Sequence, residues 1–104
     1  MLVKIKKRDG REAPFNIEKI ANAIFKAAQA AGGQDYKTSL QLSERIATEL
    51  GQNFQETIPE VEDIQDMVEK VLIESGHVKT AKEYILYRAN RTRIREMNTK
   101  LMKV

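Results

Sequence analysis

The chain has 104 residues, of which 32% are charged and 41% are hydrophobic, and its net charge is +3. These values fit one soluble globular domain with a modest core. The chain has no cysteine and one histidine, His77, which excludes disulfides and thiolate chemistry and argues against a metal site built from protein ligands. It has no apolar run long enough to span a bilayer and no secretory signal at its start, so we expect a cytoplasmic protein.

Charge is distributed unevenly along the chain. Residues 57–75 carry six carboxylates against one lysine, whereas residues 79–104 carry eight basic side chains against two glutamates. A basic end favours a polyanionic partner such as a nucleotide or a nucleic acid. The same pattern also suits a solvated helix face that pairs with the acidic segment, and the charge pattern alone leaves both interpretations open.

The first elements in chain order form a β-hairpin. Residues 2–7 alternate apolar and basic side chains, which predicts a half-buried strand. Asp9-Gly10 predicts a type I′ turn, because that turn needs positive φ at both central residues. Residues 11–15 should return antiparallel, with Pro14 limiting the pairing and ending the strand.

Two helices follow the hairpin. Asn16 is a good N-cap for a first helix that apolar residues at helical spacing carry as far as the glycine pair at 32–33. A second helix is predicted over residues 38–50, capped by one of its first two residues and ended by Gly51.

The last third of the chain predicts a short extended segment and two more helices. Residues 57–59 can add a third strand beside the hairpin. A third helix runs from 60 to 75 with its acidic residues in the first turns, as the helix dipole prefers, and Gly76 stops it. A fourth helix begins near His77 and continues toward the chain end, becoming polar and arginine-rich after Arg88. The fold class is therefore α+β: a hairpin or three-stranded sheet that caps a four-helix bundle.

Several chemistries are excluded by spacing. The five glycines match neither common phosphate-binding loop. His77 and Ser75 are close in sequence, but no carboxylate completes a catalytic triad. The third helix carries four carboxylates, which favour a solvated face with side-chain pairs one helical turn apart over a metal site. They are Glu62, Asp63, Asp66 and Glu69.

Basic and polar side chains recur at three places that this fold would bring together: Lys7 and Arg8 before the turn, Asn16 and Lys19 at the first helix, and Tyr87, Arg88 and Arg91 on the fourth. Triphosphates are recognised by several fixed cations, with arginine favoured for its forked geometry. A purine needs an apolar slot with a few polar groups at its edge. Ile5, Val61 and Ile64 can form that slot, with Glu62 or Gln65 at the edge.

Three separated motifs resemble the ATP-cone domain, and they cover nearly the whole chain in order. Residues 3–11 and 14–20, which include Lys7-Arg8-Asp9-Gly10-Arg11 and Phe15-Asn16-Ile17-Glu18-Lys19, resemble its opening. Residues 61–69 and 81–91 resemble its third and fourth helices. The sequence around Phe15 is most similar to the N-terminal regulatory domain of an anaerobic (class III) ribonucleoside-triphosphate reductase, and next to that of the aerobic large subunit.

This resemblance implies an allosteric module in which ATP leaves a ribonucleotide reductase active and dATP inhibits it, both bound as Mg²⁺ complexes. It places Lys7, Arg8, Lys19 and one of Arg88 or Arg91 at the phosphates, and Asn16 near the sugar or phosphates. It places Ile5, Val61 and Gln65 at the base and either Tyr87 or Leu86 at an aromatic position. Ala13 departs from an acid found in some members, although Glu12 is adjacent.

Because the chain has no cysteine, it contains neither the radical-bearing cysteine of a reductase barrel nor the zinc ribbon of a cone-containing repressor. We therefore expect a single regulatory domain that is not an enzyme by itself, with a hairpin over 1–15, a bundle over 16–92 and a helix over 93–104 that leads toward a catalytic domain. The expected partners are adenine nucleotides, that catalytic domain and a second copy of the chain in a nucleotide-dependent oligomer, with no membrane or nucleic acid. The alternative is a nucleic-acid-binding or oligomerisation module that uses the basic fourth helix.

Overall fold

The computed structural model describes residues 3–102, without the side chains of residues 95, 96 and 98–102. Two short strands precede four helices, which confirms the α+β class. Leu2 and residues 103–104, the ends of the predicted first strand and last helix, lie outside the described residues. The elements are β1 (Lys4–Lys6), β2 (Glu12–Pro14), α1 (Ile17–Ala30), α2 (Tyr36–Asn53), α3 (Val61–Glu74) and α4 (Val78–Met102).

The hairpin forms as predicted, but its turn is of another type. Strands β1 and β2 pair antiparallel, with Ile5 opposite Ala13. Gly10 has a φ of 90°, and no residue other than glycine has a positive φ between residues 3 and 102, so the type I′ prediction for Asp9 is wrong. The N–H of Gly10 donates to the Lys7 carbonyl at 2.9 Å, which gives a three-residue connection with glycine in the left-handed region.

Asp9 explains why this turn is preferred. Its carboxylate accepts from the backbone N–H of Arg11 at 3.0 Å and from Arg11 Nε at 2.6 Å. The backbone hydrogen bond from Arg11 is the main reason that the pKa of Asp9 lies below 3.8. Arg11 therefore closes the turn and stays exposed, outside the site described below.

The predicted third strand is wrong in the described residues, where the sheet has two strands. A single parallel bridge joins Lys6 to Glu60, and the N–H of Lys6 donates to the Pro59 carbonyl at 2.9 Å. Pro59 lacks an N–H to extend the pairing, and α3 begins only two residues later. This one bridge nevertheless fixes the hairpin to the start of α3.

The starts and stops of α1 and α3 follow the sequence signals. The Asn16 side chain caps α1 by accepting from the N–H of Glu18 at 2.9 Å. Gly32 and Gly76 have φ values of 100° and 83°, and in both cases the next residue donates back to the third-last helical carbonyl. This is the Schellman arrangement, in which glycine avoids the penalty that a Cβ would bring.

The bounds predicted for α2 are wrong at both ends. The cap is Asp35, three residues before Thr38, whose N–H and hydroxyl donate to the Asp35 carboxylate at 3.3 and 2.6 Å; neither Thr38 nor Ser39 is the cap. The helix also continues through Gly51 to Asn53. Phe54, which follows, packs against the core, and this burial favours the longer helix over an earlier stop.

The four helices close a ring in which each packs against the next and α4 returns to α1. The core between them is mainly aliphatic, and its fully buried members include Ile24, Ile46, Leu50, Val71 and Leu72. Each such side chain contributes about 1.5–3 kcal/mol when removed from water. Ile5 and Phe15 pack against this core, so the hairpin sits on the same end of the bundle as the start of α1.

Between residues 3 and 102, no helix is long and apolar enough to cross a membrane.

Candidate functional site

A cavity of about 480 Å³ lies where the hairpin meets α1, the start of α3 and the middle of α4. Its lining includes six basic side chains and no carboxylate. We call it the basic cavity, and its cations are Lys7, Arg8, Lys19, Lys26, Arg88 and Arg91. Its volume is within the range of small-molecule sites, and its charge makes it a place for an anion.

The hairpin contributes one wall. Half-buried Ile5 faces the core side of this wall, and Lys7 and Arg8 border the cavity at the end of β1. Arg8 Nη1 lies 3.4 Å from Glu62 Oε1 on α3. This contact is long and largely exposed, so it contributes little to stability, but it links the hairpin to α3 beside the cavity.

Helix α1 contributes the second wall through one face. The Asn16 Oδ1 is occupied by the cap, which leaves the amide N–H groups of that side chain as donors for a ligand. Lys19, Asn22 and Lys26 follow at helical spacing along the cavity. The Tyr36 hydroxyl donates to Asn22 Oδ1 at 3.0 Å, which ties this face to the start of α2.

Helix α4 contributes the third wall. Arg88 Nη1 donates to Asp66 Oδ1 at 2.8 Å and to Glu69 Oε1 at 3.0 Å, both on α3. Burial lowers the pKa of the Arg88 guanidinium, but the hydrogen bonds to these two carboxylates outweigh burial and leave that pKa above its ordinary value. The pairing of the acidic helix with the basic one, left open by the sequence, is therefore present at Arg88.

Tyr87 and Arg91 are neighbours on the same wall. The Arg91 guanidinium carbon lies 5.7 Å from the centre of the Tyr87 ring, and Arg91 Nη1 donates to the Tyr87 hydroxyl at 3.2 Å. This contact combines a cation–π interaction with a hydrogen bond. It fixes the Arg91 head group against Tyr87, and both side chains line the basic cavity.

The floor is apolar apart from two polar groups. Val61, Ile64 and Val68 supply aliphatic surface from α3. The Gln65 Oε1 is buried and has no hydrogen-bond partner among the described residues. Burial raises the pKa of the Tyr84 hydroxyl to about 12, so this side chain stays neutral at physiological pH. A buried carbonyl oxygen without a partner is costly, and a ligand donor in the cavity would satisfy it.

The structure brings together ten of the eleven side chains that the sequence pointed to: Ile5, Lys7, Arg8, Asn16, Lys19, Val61, Gln65, Tyr87, Arg88 and Arg91 all line the basic cavity. Glu62 does not, and instead faces Arg8 from outside. Of the two candidates for the aromatic position, Tyr87 borders the cavity and Leu86 is 64% exposed. Both Arg88 and Arg91 line the cavity, whereas the sequence had left open which of the two does.

Sequence reasoning missed four polar side chains of the lining: Asn22, Lys26, Tyr84 and Thr92. Helical spacing from residues already selected makes these positions candidates. Asn22 and Lys26 follow Lys19 at one and two turns, and Tyr84 and Thr92 lie one turn on either side of Arg88. The sequence alone does not say, however, along which face the cavity extends.

Cavity volume alone does not single out this site. A groove of about 510 Å³ lies between the start of α1 and the end of α2, but its lining carries no charged side chain. In the described part of the chain no cluster of three His, Cys, Asp or Glu side chains is placed to hold a metal ion. The hydroxyl of Ser75 accepts from Arg45 Nη1 at 3.0 Å, which keeps it in a structural contact at the end of α3.

Comparison with known proteins identifies relatives of this arrangement. The family model described as the ATP cone domain matches residues 3–93. A vitamin B12-dependent ribonucleoside-diphosphate reductase of Thermoplasma acidophilum is 41% identical over 92% of this chain. An anaerobic ribonucleoside-triphosphate reductase of Haemophilus influenzae is 37% identical over 93% of it. A ribonucleoside-diphosphate reductase subunit alpha of Chlamydia pneumoniae is 38% identical over 90% of it.

The chain spans 13%, 14% and 10%, respectively, of the length of these three relatives. Anaerobic reductases are among the relatives, as the sequence led us to expect, together with two other kinds of reductase at similar identity. The family match includes every wall of the basic cavity. The chain therefore belongs to the ATP-cone family and is a small regulatory nucleotide-binding domain.

Proposed function

We propose that the basic cavity binds ATP and dATP and that the chain reports their ratio to the catalytic part of a ribonucleotide reductase. One observation carries this proposal: the six cations of the cavity come from three separate elements and face no carboxylate in its lining. An ordinary solvated basic surface does not need an apolar floor beneath it. A triphosphate attached to a flat apolar base matches both features.

The phosphate end is supported by how the cations are paired. Arg8 and Arg88 contact carboxylates outside the lining. For Lys7, Lys19, Lys26 and Arg91, the described residues offer no carboxylate within 4.0 Å. The α1 N-terminus adds the positive end of its dipole beside them.

Mg²⁺ fits this site only as part of the nucleotide. It prefers oxygen ligands and commonly bridges substrate phosphates while keeping several waters. The lining offers no carboxylate, so the phosphate oxygens would hold the ion. The role of the protein is to neutralise the phosphate charge that remains.

The base end is supported by Gln65. In the orientation that the structure gives it, the buried Oε1 lacks a donor, and the 6-amino group of adenine supplies one. Guanine presents a carbonyl oxygen at that place, so two acceptors would meet. Val61 and Ile64 can pack against the ring, and leaving the buried acceptor of Gln65 without a donor costs about 1–3 kcal/mol, which sets the scale of discrimination against guanine.

Discrimination between ATP and dATP depends on one ribose hydroxyl. Ala13 lines the cavity without a polar group, and Glu12 is engaged with Lys4 at 3.5 Å. The side-chain amide of Asn16 is the hydrogen-bond donor of the lining that is closest in sequence to Ala13. A single unpaired contact is worth about 1–3 kcal/mol, so both nucleotides should bind.

Regulation then requires two arrangements of the molecule that the nucleotides stabilise unequally. Helix α4 is the candidate for the moving element, since it borders the cavity and continues to Met102. We propose ATP as the activating and dATP as the inhibiting effector, with a nucleotide-dependent homo-oligomer as one of the arrangements. We propose the catalytic domain of a reductase as the partner, because the relatives are reductases.

Isothermal titration of the 104-residue chain with Mg-ATP, Mg-dATP and Mg-GTP tests this proposal. We expect ATP and dATP to bind with sub-millimolar affinity. GTP should bind about tenfold more weakly than ATP, or more weakly still. Failure of both adenine nucleotides to bind would contradict the proposal. Preferential, steeply salt-dependent binding of duplex DNA or RNA would support the nucleic-acid alternative instead.

A further inference from the structure

Arg88 is held by one of its three nitrogens. Both hydrogen bonds that it makes to described residues, to Asp66 at 2.8 Å and to Glu69 at 3.0 Å, are donated by Nη1. That nitrogen has two hydrogens, so its donor capacity is used. The three remaining N–H groups of the guanidinium, on Nη2 and Nε, have no partner among the described residues.

Arg88 borders two depressions, the basic cavity and a second one. Neither Asp66 nor Glu69 lines the cavity; Glu69 borders a separate depression between α3 and α4, which Arg88 borders as well. The Arg88 side chain is 22% exposed. Its guanidinium is thus held by two carboxylates outside the cavity lining, while the side chain itself borders the cavity.

We propose that Asp66 and Glu69 are positioning residues, which hold Arg88 so that its Nε and Nη2 donate to a phosphate group in the cavity. This inference deepens the function proposed above and rests on it. A free arginine side chain loses rotamer freedom when it binds an anion, and prior fixation removes that cost. The planar guanidinium makes such fixation effective, because holding one nitrogen orients the other two.

The negative charges of Asp66 and Glu69 act in the opposite sense, since they repel a triphosphate. The two effects have different ranges. Repulsion through solvent is screened over about 8 Å at physiological salt, whereas positioning acts only through Arg88. Glu69 should dominate, because its side chain is 24% exposed and that of Asp66 is 68% exposed.

A double-mutant cycle on the 104-residue chain separates these effects. ATP affinity is measured for the wild type, Glu69→Gln, Asp66→Asn, Arg88→Ala and the doubles that combine Arg88→Ala with each carboxylate change. Glu83→Gln, which removes a carboxylate from α4 outside the cavity lining, is the matched charge control. Urea unfolding shows which variants are folded, and Arg88→Lys replaces Arg88→Ala if the latter is not.

We expect Glu69→Gln to weaken ATP binding about three- to tenfold, Asp66→Asn to weaken it less, and Glu83→Gln to leave it unchanged. In the Arg88→Ala background, neither carboxylate change should weaken binding further. An unchanged or tighter ATP affinity in Glu69→Gln would overturn the inference, and so would an equal loss of affinity with and without Arg88. In either case, ATP binding by the wild type would leave the proposed function intact. A wild type that does not bind ATP would overturn both.

Discussion

Lys19 lies in the first turn of α1, two residues after the helix begins at Ile17. A cation at this place is opposed by the helix dipole, whose positive end is the N-terminus. Among the residues that the structure describes, Lys19 has no carboxylate within 4.0 Å to offset that repulsion. An anion in the basic cavity would relieve both effects, so the residue fits binding better than it fits stability.

Replacing Lys19 with alanine should therefore weaken ATP and dATP together, by roughly three- to tenfold, without lowering the free energy of unfolding. Lys37→Ala is the matched control, because Lys37 also lies in the first turn of a helix but outside the cavity lining. Titration calorimetry and urea unfolding measure the two quantities. Equal nucleotide affinity in wild type and Lys19→Ala would refute the assignment of Lys19 to the phosphates.

At the scale of the element, α2 begins where a carboxylate and a hydroxyl meet. The side-chain hydrogen bond from Thr38 is the main reason that the pKa of Asp35 lies below 3.8, and the backbone N–H of Thr38 adds to it. A lowered pKa in the folded state means that the ionised carboxylate stabilises the fold above 3.8. This stabilisation is lost as the pH falls through the lower, folded-state value.

The comparison of the wild type with Asp35→Asn tests this at the cap. Asparagine also caps helices but does not titrate, so the wild type should have its largest advantage near neutral pH and lose it as the pH falls below 3.8. Asp9, whose pKa is also lowered, is present in both proteins and cancels. A difference in unfolding free energy that stays constant from pH 7 to pH 2.5 would contradict this account of the cap.

Element boundaries show what local sequence can and cannot decide. Asn16, Gly32 and Gly76 act through their own side chain or its absence, and their effects were predictable. The extent of α2 was not, because Asp35 outcompetes Thr38 for the cap and the burial of Phe54 carries the helix past Gly51. The hairpin turn was misjudged for a similar reason: Asp9 binds Arg11 and does not adopt a positive φ.

At the scale of the whole molecule, the bundle brings the fourth helix back to the first. That return places Arg88 and Lys19 in the lining of one cavity, and the Lys6–Pro59 hydrogen bond fixes the hairpin to the start of α3. The candidate site residues were predictable because the family motifs mark them. Lys26 and Thr92 were not, because the length of the cavity depends on how α1 and α4 pack along each other.

The most direct measurement of the central claim is amide chemical-shift mapping of the ¹⁵N-labelled chain during titration with Mg-ATP. Nucleotide binding in the basic cavity predicts the largest shifts at the end of β1, along α1 from Lys19 to Lys26, at the start of α3 and around Arg88, Arg91 and Thr92. It predicts small shifts in α2, which contributes nothing to the lining of the basic cavity. Shifts concentrated in α2 or in the uncharged groove beside Thr48 and Gln52, or no shifts at millimolar ATP, would contradict it.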